Sequence, residues 1–351
     1  MSFNQFFQNK KVFITGHTGF KGSWLSLWLS LLGAKVCGYA LKPESESLYN
    51  IIDLEKNLAK STFADIRIHE LLEKEIVDFK PDIIIHMAAQ PLVRASYFDP
   101  RFTYETNIIG TLNVLEAARK VESVKAVVNV TTDKCYENRE INYAYKEDDK
   151  LGGHDPYSSS KACAEILTAS YRKSFFAKSG AAIATARAGN VIGGGDFSVD
   201  RIIPDIFRAI RENKKVEIRS PNSIRPWQHV LEPLYGYLLL AKNLYENGDK
   251  FAKAYNFGPE SESEVNVENL TNQFITDIGF GAYEVKRDNA LHEAGILKLN
   301  NGLAKSELDW KPKLKFADAI KFTAEWYVVY HKSRADIVNF TSNQIVKFNT
   351  L

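Results

Sequence analysis

Tyr157 and Lys161 stand four residues apart, which on a helix brings a phenol and an ammonium to one face. An ammonium so placed lowers the phenol's pKa from its reference of about 10 toward working pH. A tyrosine tuned in this way can take a proton from a hydroxyl while hydride leaves the same carbon. Alone, the spacing says little, because most such pairs are a half-buried ring beside a solvated charge. Two further motifs weigh against that bland reading. Near the start lies Gly16-His17-Thr18-Gly19-Phe20-Lys21-Gly22, and between it and Tyr157 lies Thr131-Thr132-Asp133-Lys134.

The elements that must position these residues can be read from periodicity. Lys11-Val12-Phe13-Ile14-Thr15 is a β-rich run ending at the first glycine, and Ser23 to Leu32 carries leucine and tryptophan at helical spacing up to Gly33. This reads as strand, tight turn, helix. Val36 to Leu41 gives a second strand. Ile83-Ile84-Ile85-His86-Met87 and Ala126-Val127-Val128-Asn129-Val130 are continuous apolar runs, as in parallel strands covered on both faces. Helices are expected over 68–79, 101–121 and 157–177, then a strand over 181–188. Strands alternating with helices in this order predict a doubly wound α/β fold with a parallel sheet. After Ala188 the character changes at Gly193-Gly194-Gly195, and shorter, more charged elements follow. Val230 to Leu244 reads as a buried helix returning to the main sheet, with Tyr255-Asn256-Phe257 as one more strand. Residues 1–190 and 226–258 are thus expected to form a dinucleotide-binding domain, and 191–225 with 259–335 a discontinuous substrate domain. Residues 336–351, polar and aperiodic, read as a tail packed weakly or not at all.

In Gly16-x2-Gly19-x2-Gly22 the glycines let the backbone turn tightly, approach a pyrophosphate and pack helix against strand. The second strand lacks the acid expected for an adenosine ribose, since Tyr39-Ala40-Leu41-Lys42 offers no carboxylate. Lys42 suits either a 2′-phosphate or plain solvation. An acid and a base directly after Thr132 exceed what a simple alcohol dehydrogenase needs; Asp133 and Lys134 are that surplus.

The GxxGxxG spacing resembles the short-chain dehydrogenase/reductase superfamily in its extended form. Within it the chain resembles the nucleotide-sugar 4,6-dehydratases, in the CDP-glucose branch where Thr-Asp-Lys replaces Thr-Asp-Glu. The resemblance runs through residues 16–25, 86–94, 132–136, 155–161, 187–196, 224–230 and 292–299. It implies a Rossmann-type sheet with a smaller, mostly C-terminal α/β domain for the nucleotide sugar. It implies NAD, held by Gly16, His17, Thr18, Gly19, Phe20, Lys21 and Gly22, with Ala88, Ala89, Gln90, Tyr157 and Lys161 also beside it. Asp65, followed by Ile66, is placed as the adenine-contacting acid, with a helix cap as the alternative. Lys161 holds the nicotinamide ribose, Thr132 bonds the C4 hydroxyl, and Tyr157 is the oxidation base. Lys134 then removes the C5 proton and Asp133 protonates the departing C6 hydroxyl; burial would shift both groups in the needed direction. Arg219 and Arg225 are the candidates for the diphosphate, since a guanidinium fork matches phosphate oxygens. Arg94, Asn190 and His292 are further substrate candidates, and Arg201 is either one more or a surface charge at a helix start. A 4,6-dehydratase of another nucleotide hexose is one alternative; a 4-epimerase is the other, and it would need Thr132, Tyr157 and Lys161 but not Asp133 or Lys134.

Bulk properties narrow the classes. With 351 residues, 45% hydrophobic and 25% charged, the chain can bury a large core. A net charge of +2 with interspersed signs gives no nucleic-acid footprint. The longest apolar stretch falls short of the roughly 20 residues of a membrane span. Cys37, Cys135 and Cys163 have no metal-ligand spacing, and their odd number with no visible signal peptide points to the reducing cytoplasm. No metal is expected. The helices over 101–121 and 157–177 are expected, by the resemblance, to form a four-helix bundle across a dimer axis, in a homodimer or a dimer of dimers.

Overall fold

The apolar runs become the strands of one parallel sheet because helices cover both of its faces, leaving no side that must be polar. In the computed structural model, which describes residues 3–178, 180–286 and 296–351, this sheet has seven strands. Their spatial order is Ala254–Phe257, Ala182–Ala188, Ala126–Val130, Ile83–His86, Lys11–Thr15, Lys35–Ala40 and Lys60–Phe63. Every neighbouring pair is parallel. Chain order reverses between Lys11–Thr15 and Ile83–His86, so a crevice opens at the carboxyl ends of these two strands. Ile84, Val127 and Ile183 pack on one face of the sheet, and Ile83, Ile85 and Val128 on the other.

Beyond Ala188 the sheet gives way to short two-stranded pairs. Val191–Ile192 pairs with Gln228–His229, Val216–Ile218 with Tyr283–Val285, and Ile224–Pro226 with Glu264–Asn266. Helices Ile202–Arg211 and Val267–Ile278 pack beside them, and Ile203, Phe207, Leu270 and Phe274 belong to the same apolar cluster as Ile83 and Trp24. One continuous core therefore fixes this region against the main sheet.

Two expectations are corrected. The helix over 101–121 is not regular: Pro100–Tyr104 runs into a π-helical turn, Glu105–Ile109, before Gly110–Ala118 resumes. A glycine is required where it resumes, because a Cβ on Gly110 would lie 2.7 Å from Ile66 Cγ2. The second correction is the tail. Residues Ile337–Thr350 form a helix with Ile337, Thr341, Gln344, Ile345 and Phe348 buried. Its stripe is diluted by a threonine and a glutamine, which hid it from a hydrophobic scan. Both are used: Trp326 Nε1 donates to Thr341 Oγ1 at 2.9 Å, and Gln344 Nε2 to the Phe322 carbonyl at 2.7 Å.

Phe348 stands edge-on to Trp28, 5.7 Å between centroids, so the last helix closes over the helix that follows the glycine turn. Phe348→Ala should therefore destabilise the protein by about 3–5 kcal/mol, as for a fully buried ring. Urea unfolding measures this, and a loss below about 1 kcal/mol would restore the loosely packed tail.

Candidate active site

A cavity of about 1230 Å³ extends along the carboxyl ends of the strands, from the glycine turn past Tyr157 to Arg219 and Arg225. Among the described residues no group of three or more His, Cys, Asp or Glu is placed to hold a metal ion.

At one end is the glycine turn. Gly16 has a φ of +81°, and a Cβ there would meet the Ala88 backbone nitrogen at 2.8 Å. A Cβ on Gly22 would lie 1.9 Å from the Gly16 carbonyl oxygen, so the helix Phe20–Leu31 can sit this close only without one. A Cβ on Gly19 would meet only Gly16 O, at 3.4 Å, so its bare side is left open. No side chain caps the first turn of that helix, which leaves its N–H groups for an anion. These features fit the pyrophosphate of a dinucleotide.

The occupants of the turn do not all face the cavity. Thr18 and Phe20 line it. His17, expected among the cofactor residues, turns into the fold: it is fully buried, hydrogen-bonded to Ser61 Oγ at 2.7 Å and stacked on Phe63. Gly38 on the second strand makes the room, since a Cβ there would reach within 2.3 Å of the imidazole. Burial pulls the His17 pKa down to about 4, so the ring is neutral and not a phosphate-binding cation. Lys21 lines the cavity as well. Its ammonium runs toward the catalytic end, where Nζ donates to Tyr237 OH at 3.4 Å. Burial, reinforced by Arg201, Lys161 and Lys134 and opposed by Asp133, lowers it to about 7.

Asp65 and Ile66 lie on the lip beyond the third strand. Arg67 occupies both oxygens of the Asp65 carboxylate, at 2.7–3.1 Å, and holds it below the usual carboxylate range. Asn113 Nδ2 donates to the Ile66 carbonyl at 3.0 Å and steadies the lip. Ala88, Ala89 and Gln90 line the wall, but the Gln90 amide is spent on Leu92 of its own loop and on Thr103 of the helix Pro100–Tyr104.

The middle of the cavity is lined by Thr132, Lys134, Tyr157 and Lys161, while Asp133 is buried just behind this wall. Asp155 caps the helix Pro156–Ser174, accepting from Ser158 N at 2.9 Å, with Pro156 in the first turn. This cap places Tyr157 at the helix start and Lys161 one turn on. Thr132 begins a short 3-10 turn, Asp133–Cys135, directly after the strand Ala126–Val130 and Thr131. The turn brings Thr132 into a hydrogen bond with Tyr157. Thr132 Oγ1 lies 3.0 Å from Asp133 Oδ1, and Lys134 Nζ lies 3.6 Å from the same oxygen. Asp133 Oδ2 is buried and has no hydrogen-bond partner. Gly189 makes its space, because a Cβ there would come within 2.9 Å. Burial is unequal across the pair: the Asp133 side chain is 1% exposed and that of Lys134 27%, so only the acid sits in the expected apolar setting.

The expected lowering of Tyr157 by Lys161 does not appear. Burial pushes the phenol up to about 12, against the Thr132 hydrogen bond and with help from Asp133. Lys161 Nζ donates to the Val130 carbonyl at 3.2 Å, and burial lowers it to about 8. Desolvation is the largest influence on each group.

The far wall holds the arginines. Arg94, Arg201, Arg219, Arg225 and Asn190 all line the cavity. Arg201 is placed by Asp196 at 2.9 Å, which decides for the site over the bare surface; Arg219 is placed by Asp200 at 2.8 Å. The Asn190 side-chain oxygen is buried without a partner. His292 lies outside the described residues. Sequence reasoning did not single out Asp196, Asp200 or the catalytic-side position of Lys21; nothing local in the chain marks which loop an aspartate will meet.

A nucleotide-binding crevice, a tyrosine–lysine helix and an added acid and amine are what this fold and site define. The chain belongs to the family described as GDP-mannose 4,6 dehydratase, whose model matches residues 13–323. It is 49% identical over 329 residues to CDP-glucose 4,6-dehydratase of Salmonella typhimurium, covering 92% of this chain and 91% of that protein. Two solved structures share the fold. One is dTDP-glucose 4,6-dehydratase of Bacillus anthracis in complex with NAD, with TM-score 0.77 and 24% identity over 94% of this chain and 99% of that one. The other is UDP-glucose 4-epimerase of Thermotoga maritima with UDP-glucose, with TM-score 0.77 and 22% identity over 92% and 99%.

Gly22→Ala should weaken NAD binding at least ~10-fold, since overpacking of roughly 1–3 kcal/mol forces the turn open. Calorimetric titration with NAD checks this, and unchanged affinity would remove the turn from dinucleotide binding.

Proposed function

We propose that this protein is a 4,6-dehydratase of CDP-glucose that uses NAD and releases CDP-4-keto-6-deoxy-D-glucose. The observation that carries the reading is the buried, unpartnered Asp133 Oδ2 beside Lys134 and Tyr157. An oxidation–reduction at C4 alone has no use for that extra acid and amine. The 49% identity to a CDP-glucose enzyme supports the choice of nucleotide, which no side chain on the far wall identifies.

When bound, the nicotinamide supplies the hydride acceptor at C4 and the donor at C6, so the cofactor cycles without net consumption. Thr132 orients the C4 hydroxyl, and Tyr157 takes its proton. Burial holds the Tyr157 phenol up to about 12, so it takes the proton only from its minor tyrosinate fraction, which is favoured by the charged form of Lys161 one turn away. That form is present below about pH 8 and is lost above it. With C4 a ketone, the C5 proton becomes acidic; Lys134 removes it. Asp133, whose Oδ2 is free of other hydrogen bonds, protonates the C6 oxygen as it leaves as water. Arg219 and Arg225 bind the diphosphate, with Arg94, Arg201 and Asn190 around the nucleotide sugar.

Incubation with CDP-, dTDP-, UDP- and GDP-hexoses tests the assignment. A product absorbing in alkali is expected from CDP-glucose alone, whereas conversion to a C4 epimer would replace this reading with an epimerase. Lys134→Ala should lower formation of dehydrated product by about 10²- to 10⁴-fold, the usual loss on removing a general base. Product formation at the wild-type rate would take Lys134 out of the mechanism.

The reading extends to a cytoplasmic homodimer. No helix among the described residues is long and apolar enough to cross a membrane. Ile109 and Ile166, on the two helical segments expected at the dimer axis, are 43% and 59% exposed, which favours a partner over packing on the sheet. Light scattering at micromolar concentration should give twice the chain mass, and a monomer would refute the assembly.

A further inference from the structure

Beneath the catalytic turn lies a buried ion pair that none of the proposed steps uses. Glu165 stands one turn beyond Lys161 on the helix Pro156–Ser174, and Arg187 lies on the strand Ala182–Ala188. Their side chains are 3% and 4% exposed. Arg187 donates through Nε at 2.9 Å and through Nη2 at 2.8 Å, a two-point fork on the carboxylate. The rest of the carboxylate is also occupied. The Thr131 hydroxyl donates to one oxygen, and Thr185 Oγ1 donates to the other at 2.8 Å. On its far side Arg187 Nη1 donates to Tyr136 OH at 2.7 Å and to the Glu147 carbonyl at 2.9 Å. Tyr136 OH in turn donates to Asn256 Oδ1 at 2.7 Å.

Two of these partners are adjacent in sequence to the catalytic turn. Thr131 immediately precedes Thr132, and Tyr136 immediately follows the turn Asp133–Cys135. The carboxylate grips one end and the guanidinium the other. Taking two charges out of water offsets most of their mutual attraction, so a buried pair is a poor source of stability. What a fully satisfied pair does supply is fixed geometry.

We propose that the Glu165–Arg187 ion pair is the positioning device of the catalytic turn, holding Thr131 and Tyr136 so that Thr132, Asp133 and Lys134 keep a set distance from Tyr157 and Lys161. The inference rests on the dehydratase reading for what the turn does. Glu165 has a second effect that depends on its charge. It acts on Lys161 from the same helix and favours the ammonium, as does Cys135 from the turn. Lys21, on the helix after the glycine turn, carries a like charge facing it, and Arg187 is the cation that Glu165 itself balances. His86, at the end of the strand Ile83–His86, also feels the Lys161 charge and is held neutral by burial, and Tyr157 stands one turn earlier on the same helix. Removing the Glu165 charge leaves Lys21 and Arg187 unopposed, so Lys161 must lose its proton at lower pH.

The test compares kcat, KM and pH profile on the nucleotide hexose that the wild type accepts. Thr131→Val and Tyr136→Phe each cut one arm and leave the ion pair intact. Each should lower kcat about 10- to 100-fold, as misplacement of reacting groups does, with KM within about twofold because the arginines lie on the opposite wall. Glu165→Gln should also lower kcat and move the alkaline limb of its pH profile downward, which a packing role would not do. Arg187→Lys keeps a charge but loses the fork; it should lower kcat without moving that limb. Wild-type kcat in both Thr131→Val and Tyr136→Phe would overturn the proposal, even if the ion-pair variants fail to fold. An unmoved alkaline limb in folded Glu165→Gln would overturn the charge effect. A wild type inactive on CDP-glucose but active on another hexose would fail the substrate assignment alone, leaving the comparison of variants intact.

Discussion

Desolvation sets the charge states of three groups in this site, and much of the remaining architecture can be understood as managing it. The crevice that excludes water from a sugar also strips water from Lys21, Lys161 and Tyr157, and burial is the largest influence on each. It disfavours the charged form of all three. Two lysines are thereby brought near neutral pH, while the phenol moves away from it. The charged neighbours then decide which protonation states survive: Glu165 favours the Lys161 ammonium, and Asp133 favours that of Lys21.

The parallel sheet makes this arrangement possible by delivering backbone, not side chains, to the crevice. Strands buried on both faces end together where chain order reverses, and each releases a loop into the same space. The loop after Thr15 must be glycine-rich, because the Ala88 backbone passes within van der Waals contact of Gly16. The loop after Val130 is free to carry polar residues, and it carries Thr132, Asp133 and Lys134. The helix Pro156–Ser174 then serves as a ruler, with Tyr157, Lys161 and Glu165 at successive turns.

The same fold accommodates a dehydratase and a 4-epimerase with equal TM-scores of 0.77. Architecture therefore does not choose between the two reactions, and the difference must lie in a few side chains. Asp133 and Lys134 are the residues whose placement bears on that choice. The last helix contributes indirectly by sealing Trp28 and thus the helix that follows the glycine turn.

Local patterns in the chain were enough to determine the alternating strands and helices and the glycine turn, whereas the grouping of Tyr157, Lys161, Thr132, Asp133 and Lys134 was expected from the family resemblance of their motifs. Periods of two and 3.6 residues and tight-turn glycines act over short spans, so neighbours in sequence encode them. The final helix escaped because Thr341 and Gln344 occupy its inner face, and their partners, Trp326 and the Phe322 carbonyl, come from another helix. Tertiary structure alone decided that His17 turns away from the cavity, since the space for its ring is created by Gly38 on a different strand. It also decided that Lys21 points at Tyr237, that Asp196 and Asp200 place the arginines, and that Arg187 meets Glu165. These are encounters between groups far apart in the chain, and their electrostatics depend on how much water the assembled fold removes, which no stretch of sequence records by itself.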